Sequence, residues 1–385
     1  MSYLFEHERP TRAEIDLDAL AFNFHSVRRF IGEGVECMAV VKADAYGHGA
    51  AECSRRLERE GAKWFGAATL EEGIELREAG IAGSILIFGG IWPGQETPMI
   101  SHDLTPAIFT LDQARRLDRA AADVARRVQA HVKIDTGMNR VGFRCEDVPE
   151  VADRLSHLAN IEITGLMTHF AAADDLGQTD FTERQMARFA GAVQTFHDKG
   201  FRPKYIDMAN SPGAIVHPLS RSGMVRIGGL LYGLGGDVLP PEAVQPELRP
   251  VMAVKSRIAQ VRAIKKGETV GYGRTFLAEK DHLIATVAIG YHDGLRRGLS
   301  GKGHFLVNGQ KTQIAGRVSM DWTTIDVSEI PEAKVGDDVT IIGRDGQEEI
   351  RAEDIARLAD TISYEITCGI DKRVRRVFTG TLDQN

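Results

Sequence analysis

The chain has 385 residues, of which 43% are hydrophobic and 26% charged, and its formal net charge is -7. These values are typical of a soluble globular protein with two domains, and the acidic balance argues against a nucleic-acid-binding protein. No run of about 18 apolar residues could span a membrane, and the N-terminus lacks the apolar stretch of a signal peptide. We therefore expect a cytoplasmic protein without nucleic-acid or membrane partners.

The cysteines and histidines give no sign of a metal site. The 4 cysteines are scattered, and the 12 histidines form no HExxH-like pattern. Because ligands to structural or catalytic zinc follow characteristic spacings, the sequence predicts no metal.

The first part of the chain alternates short apolar runs with longer amphipathic segments. A helix is predicted over residues 17–30, opened by an aspartate cap. The predicted strands are 38–42, 65–68, 84–88, 106–110, 128–134, 163–168, 205–208 and 224–227. Eight strands that alternate with helices predict an α/β fold, a parallel (β/α)8 barrel of the TIM type over residues 12–240. A doubly wound open sheet is the alternative, although no GxGxxG motif follows the first strand.

The pattern changes near Leu239-Pro240-Pro241, which is typical of a linker. Beyond it, short alternating runs are separated by turn signals such as Asn308-Gly309. The predicted strands are 253–264, 286–289, 305–307, 311–314, 323–327 and 338–342, with one helix over 351–359. We predict a C-terminal, mostly β domain over residues 241–385, which residues 1–11 could join.

Lys42 stands where the first predicted strand ends, just before a turn that contains Tyr46 and Gly47. A buried ammonium must be solvated or paired, and desolvation lowers its pKa. Such a lysine suits an amine nucleophile that forms a Schiff base. A lysine that simply extends into solvent is the alternative.

Other polar residues and glycines follow the later strands, where the active site of such a barrel lies. They join Lys42 and Tyr46, which follow the first strand, and they are Arg140, His169, Ser211, Arg226, Gly228 and Gly229. Two arginines and a lysine in one place favour an anion, and the serine and glycines offer donors without bulk, as a phosphate requires. A phosphorylated cofactor that reacts with an amine is pyridoxal phosphate. For the serine and glycines alone, turn formation is the alternative.

Long motifs along nearly the whole chain resemble those of the alanine racemases, pyridoxal-phosphate enzymes of fold type III. The motifs are VVKADAYGHG around Lys42, KIDTGMNRVGF from Lys133, THFAAAD from Thr168, ANSPGA from Ala209, VRIGGLLYG from Val225, GYGRTF from Gly271, AIGYHDG from Ala288, GRVSMDW from Gly316 and ISYEI from Ile362. The resemblance implies a homodimer with active sites shared between subunits. It also implies that the enzyme interconverts L- and D-alanine and supplies D-alanine for peptidoglycan.

The resemblance implies a role for each of several residues. Lys42 would hold the cofactor and act as a base on one face of the substrate, and Tyr272 from the partner subunit would be the base on the other face. The cofactor would also be bound by Tyr46, His169, Ser211, Arg226, Gly228, Gly229 and Tyr364. The substrate would be bound by Arg140, Met320 and Tyr291, and Lys133 is the candidate for carbamylation. One base on each face allows racemisation without rotation of the substrate.

Two alternatives to an alanine racemase stay open, and departures from the family pattern bear on the first. His292, Gly229 and Arg375 stand where the family commonly has other residues. They affect the predicted shape of the substrate channel, so a broad-specificity racemase for serine or basic amino acids is the first alternative. A non-catalytic pyridoxal-phosphate carrier is the second, although carriers usually lack a second domain.

Overall fold

Parallel strands close into a barrel in the computed structural model of the protein, which describes residues 9–380. The barrel strands, numbered first to eighth below, are Glu36–Val40, Trp64–Ala67, Ser84–Ile87, Thr105–Ile108, Val128–Asp135, Ile161–Met167, Tyr205–Ala209 and Met224–Ile227. The first strand pairs with both the second and the eighth, which closes the sheet. The predicted (β/α)8 barrel is confirmed, and closure excludes the open doubly wound sheet.

Helices cover the outside of this barrel. They are Leu17–Ile31, Ala50–Arg59, Leu70–Glu78, Glu96–Ser101, Leu111–Asp123, Val148–Ser156, Thr179–Asp198 and Ser211–Val216. The first begins where predicted, because the Asp16 side chain accepts hydrogen bonds from the amides of Asp18 and Ala19 at 2.9 Å. No helix within residues 9–380 is long and apolar enough to cross a membrane.

Side chains fill the lower part of the barrel, so its interior is a packed core. The buried cluster there consists of Met38, Trp64, Leu86, Ala107, Met167 and Met224. Each member belongs to a barrel strand, and its neighbours in sequence point outwards to the helices, as the two-residue period of a strand requires. The functional site of such a barrel lies above this floor, at the carboxyl ends of the strands.

The second domain is mostly β, as predicted. Its large sheet contains the strands Arg12–Asp16, Met252–Ile264, His282–Val287, His304–Val307, Gln310–Gln313, Thr323–Asp326, Asp338–Asp345, Glu348–Ile350 and Arg375–Thr379. A short hairpin joins Thr269–Val270 to Phe276–Leu277. The predicted helix is present as Ala352–Ala359, and a second helix, Ser363–Cys368, was not predicted.

The strand Arg12–Asp16 corrects the predicted start of the barrel at residue 12. It pairs antiparallel with Met252–Ile264 and parallel with Arg375–Thr379, so it belongs to the second sheet. The physical reason is burial, since its apolar residues Ala13 and Ile15 are fully covered within that sheet. Residues 1–8, which could join the second domain, lie outside the described residues, and the boundary near residue 240 stays a prediction.

Candidate active site

Lys42 directly follows the first barrel strand and precedes a turn of unusual backbone. Residues 43–46 have φ of +53°, +53°, +54° and +56°, which makes one left-handed helical turn without glycine. Such a turn costs about 1–2 kcal/mol per residue, so other contacts must hold it. Glu72 accepts a hydrogen bond from the Ala43 amide at 2.8 Å, and Asp44 accepts one from Ala50 at 2.7 Å. The turn therefore fixes the backbone beside Lys42.

A cavity of about 490 Å³ opens at the carboxyl ends of the barrel strands. The predicted site residues that line it are Lys42, Tyr46, Lys133, Arg140, His169, Ser211, Arg226, Gly228, Gly229 and Tyr364. This volume lies in the usual range for a pocket that holds a cofactor or another small molecule. The structure thus brings together the whole cofactor-binding set predicted from the sequence.

One side of the cavity combines hydroxyl groups with glycine backbone. The Gly228 amide donates to Ser211 Oγ at 3.0 Å. A Cβ atom on Gly228 would overlap the Tyr46 hydroxyl, and one on Gly229 would overlap the ring of Tyr364. Burial raises the pKa of both tyrosines, so their hydroxyls stay neutral and can donate hydrogen bonds. Donors without side-chain bulk fit a phosphate group, so these residues suit pyridoxal phosphate.

Replacement of Gly228 by alanine tests this fit. We expect Gly228→Ala to weaken binding of pyridoxal phosphate roughly tenfold or more, because overpacking of a tight site usually costs about 1–3 kcal/mol. Titration of the apoprotein with the cofactor measures the effect. Gly191→Ala is the control, since a Cβ atom there meets nothing within 4 Å. Equal cofactor affinity in the two variants would contradict the assignment.

Arg226 extends from the eighth barrel strand and is almost fully buried. Its Nη2 donates to the Thr168 carbonyl at 2.9 Å and lies 3.0 Å from Nδ1 of His169. Its Nη1 forms an ion pair with Asp207. Burial, and then the charge of Arg226, lower the pKa of His169 to about 2. A neutral His169 can therefore accept the hydrogen bond from Arg226.

The two lysines of the cavity are desolvated. Burial and the nearby charges of Arg140 and Arg226 lower the pKa of Lys42. Burial and Arg226 place the pKa of Lys133 well below its usual range. Both amines therefore lose their protons more readily than a lysine in water does, which is the condition for a nucleophilic amine.

The second-domain residues Tyr272, Tyr291 and Met320 do not line this cavity within one chain. Their side chains are exposed, at 70%, 40% and 52% respectively. Tyr272 begins a 3-10 turn inside the short hairpin. The described chain therefore brings together the predicted cofactor-binding residues but leaves these three on the surface.

The sequence reasoning missed two residues near the cavity. Cys368 lines it from the second domain, and Asp207 lies beside Arg226 inside the barrel. The sequence did contain a signal for Asp207. Tyr205, Asp207 and Ala209 lie at every second position of the seventh strand and therefore share one face, so Asp207 could have been predicted to point into the barrel with Tyr205. Cys368 lies on the helix that was not predicted.

The loops that carry Tyr291 and Met320 are tied together. The amide of His292 donates to the Met320 carbonyl at 3.0 Å. Beneath them, the buried carboxylate of Asp293 pairs with Arg9 and with Arg373, whose Nε lies 2.7 Å from Oδ1. These contacts join the N-terminal segment, both loops and the C-terminal segment, so they hold the exposed face in one shape.

We expect Asp293→Asn to destabilise the protein by about 3–5 kcal/mol at neutral pH, because it leaves two arginines without their buried partner. Burial raises the pKa of Asp293, but Arg9, the Gly290 amide and Arg373 outweigh burial and lower it. The stability that Asp293 contributes is thus present above the unfolded pKa of about 4 and is lost as the pH falls through the lower folded pKa. Urea unfolding at several pH values measures the difference. Asp112→Asn, at an exposed surface pair, is the control; a matching loss there would contradict the account.

Comparison with known proteins agrees with the geometry. The family model described as "Alanine racemase, N-terminal domain" matches residues 15–235, and that of the "C-terminal domain" matches residues 251–378. An alanine racemase of Geobacter sp. strain M21 is 43% identical over 380 residues, covering 97% of this chain and 99% of that protein. One of Halothermothrix orenii is 40% identical over 372 residues, covering 96% and 97%.

Solved structures match over both domains as well. The alanine racemase of a D-cycloserine-producing Streptomyces lavendulae has a TM-score of 0.91 at 34% identity, covering 98% of each chain. The enzyme of Bacillus anthracis with bound L-Ala-P has a TM-score of 0.90 at 33% identity, covering 97% of this chain and 96% of that one. Likeness over both domains shows that the chain belongs to the alanine racemase family.

Proposed function

We propose that the protein is a pyridoxal-phosphate-dependent alanine racemase that interconverts L- and D-alanine in the cytoplasm and supplies D-alanine for peptidoglycan. The main support is the convergence of Lys42, Arg226 and the Ser211–Gly228 contact on one cavity. An amine nucleophile, a permanent cation and a phosphate cradle in one place are the groups that this cofactor needs.

Different residues of the cavity would bind different parts of the cofactor. Lys42 would attach it through its amine, and Arg226 would donate a hydrogen bond to the ring nitrogen. The phosphate would be held by Ser211, Tyr46 and Tyr364, together with the backbone of Gly228 and Gly229. When bound, the cofactor supplies an electron sink for the negative charge that develops on the α-carbon of the substrate.

Substrate binding and proton transfer fall to other groups. Arg140 would bind the substrate carboxylate, since a guanidinium matches the geometry of a carboxylate. Lys42 would move a proton on one face of the α-carbon, and Tyr272 from the partner subunit would move one on the other. Arg226 would stay protonated throughout, because arginine does not lose its proton in proteins.

Lys133 would carry a carbamate. Its neutral amine nitrogen would attack the carbon of CO₂, so that a C–N bond forms while one C–O π bond breaks and leaves its electron pair on oxygen. The nitrogen would then release a proton to water. Lys133 is buried and lines the same cavity as Arg140 and Arg226, and burial, followed by the charge of Arg226, holds its pKa well below the usual range. A buried amine that loses its proton readily favours this step. A carbamate at this position would place a negative charge beside Arg140 and help to orient it.

A homodimer would complete each site. Tyr272, Tyr291 and Met320 are exposed in one chain, and so are Leu277 and Trp322 on the same domain. Exposed aromatic residues and methionine are enriched at protein interfaces. We infer that this surface contacts the barrel mouth of a second copy and delivers Tyr272 and Met320 to it.

The assay for this function is incubation of the purified holoenzyme with single L-amino acids and detection of the D-enantiomer by chiral chromatography. We expect D-alanine from L-alanine, together with a visible absorption band that borohydride reduction removes. A reaction with free pyridoxal phosphate and no protein is the control. Absence of both the band and D-alanine would contradict the proposal, whereas equal turnover of serine or lysine would favour the broad-specificity alternative.

A further inference from the structure

Asp207 is a fully buried carboxylate to which the function proposed above gives no role. It lies on the seventh barrel strand, and its Oδ1 forms an ion pair with Nη1 of Arg226. Its Oδ2 has no hydrogen-bond partner among residues 9–380. A buried charge with so few partners is costly, so its placement calls for a reason other than stability.

The Arg226 guanidinium is held on two sides. Asp207 engages Nη1, while the Thr168 carbonyl and His169 engage Nη2. Within the described chain, Nε makes no hydrogen bond, and Arg226 lines the cavity. Nε–H and the second N–H of Nη1 are therefore the donors that remain for a ligand, and their directions depend on the contacts with Asp207, Thr168 and His169.

More basic than acidic side chains line the cavity. The basic ones are Lys42, Lys133, Arg140 and Arg226, and Asp174 is the acidic residue among its described lining residues. Asp207 sits behind this layer and supplies a negative charge close to Arg226. The carboxylate thus offsets the guanidinium on the side that faces away from the cavity.

We propose that Asp207 is a positioning residue, which fixes the orientation of Arg226 and offsets its charge at Lys42 and the cofactor ring. The inference rests on the proposed function, because that function gives Arg226 its contact with the ring nitrogen. Without Asp207, an uncompensated cation would lie near Lys42 and would disfavour protonation of the nitrogen that links Lys42 to the cofactor.

The groups that could affect a pH profile here can be named. Arg140, Arg226, Glu72 and Cys368 act on Lys42, and Arg226 and Lys133 act on Asp207. Burial raises the pKa of Asp207, and Arg226 opposes this effect. Two buried histidines, His169 and His131, have pKa values lowered to about 2 and about 3, so neither titrates near neutral pH.

The test compares the holoenzymes of wild type, Asp207→Asn and Asp207→Glu. The visible absorption band of the bound cofactor is followed as a function of pH, and the midpoint is the pH at which half of its change has occurred. The affinity of the apoprotein for pyridoxal phosphate is measured as well, and kcat and KM are determined separately. For Asp207→Asn we expect a midpoint lower by about one pH unit, the usual size for loss of one nearby charge in a partly buried site. Cofactor affinity should fall roughly tenfold, and kcat should fall more than KM changes. Asp153→Asn, at an exposed pair, is the control.

Asp207→Glu distinguishes the effect of the negative charge from that of the side-chain length, because it keeps the carboxylate on a longer side chain. We expect its pH midpoint to stay near that of wild type. If Asp207→Asn keeps the wild-type midpoint and cofactor affinity, the inference is overturned. The inference is also overturned if the midpoint of Asp207→Glu differs from that of wild type by about one pH unit. This variant provides the test if Asp207→Asn does not fold. Failure of the proposed function would show separately, as a wild-type protein without a visible band or D-alanine formation.

Discussion

Lys42→Ala should lower the rate of alanine racemisation by about 10³-fold or more, because one residue supplies both the cofactor attachment and a proton-transfer group. The variant should also lose the borohydride-trapped attachment of the cofactor, which we expect mass spectrometry to detect in wild type as an adduct on Lys42. The partly buried side chain lines the cavity and forms no ion pair in the described structure, so its removal should leave the fold intact. Chiral chromatography measures the rate.

The control for this variant is Lys63→Ala, which removes a lysine from an exposed position before the second barrel strand. It should racemise alanine at the wild-type rate and retain the adduct. If Lys42→Ala still formed D-alanine at a rate near that of wild type, Lys42 would be neither the attachment site nor a required base.

Tyr272→Phe should lower racemisation by about 10²–10⁴-fold, the usual contribution of a positioned acid–base group. Cofactor attachment should be unchanged, because the amine of Lys42 would make that attachment and the variant keeps Lys42. Since Lys42 would still act on its own face, exchange of the α-hydrogen with D₂O should persist for one alanine enantiomer and be lost for the other. Proton NMR of each enantiomer in D₂O distinguishes these outcomes.

Tyr205→Phe is the matched control, since it removes the same hydroxyl from a tyrosine that packs against Trp64 and His131 within the barrel. It should exchange and racemise both enantiomers. Equal loss of exchange for L- and D-alanine in Tyr272→Phe would show a structural role for Tyr272 instead of a proton transfer on one face.

The barrel could be predicted because its strands are buried on both faces and form continuous apolar runs. All predicted ends of the barrel strands agree with the structure within two residues. The first strand, predicted over 38–42, is Glu36–Val40 and so differs by two residues at each end. The strand Arg12–Asp16 was missed for a physical reason. It is short and half charged, and its parallel partner Arg375–Thr379 lies at the other end of the chain, so no local pattern indicates the pairing.

The left-handed turn after Lys42 could not be predicted either. Alanine and tyrosine have no preference for positive φ, and only Asp44 belongs to a residue type that adopts it readily. Contacts distant in sequence impose the turn, including the Glu72 carboxylate on the Ala43 amide. Local propensity is overridden here beside the proposed reactive lysine, where backbone strain is commonly found.

The residues of the site that could be predicted without the family resemblance lie at the ends of predicted strands. Lys42, His169 and Arg226 follow or end predicted strands, so the barrel fold alone brings them together. Tyr364 comes from a helix of the second domain, and the sequence linked it to the cavity only through the family resemblance. Asp207 lies in the interior of a strand, where its contact with Arg226 depends on packing between neighbouring strands.

The central claim is that each working site combines Lys42 of one subunit with Tyr272 of the other. Mixing Lys42→Ala and Tyr272→Phe proteins after reversible dissociation tests it, because each hybrid dimer would contain one intact site and one doubly defective site. Random pairing at equal amounts should restore about a quarter of wild-type racemase activity from two nearly inactive proteins. Activity that stays at the level of the separate variants, although native mass spectrometry detects the hybrid dimer, would contradict a site shared between subunits.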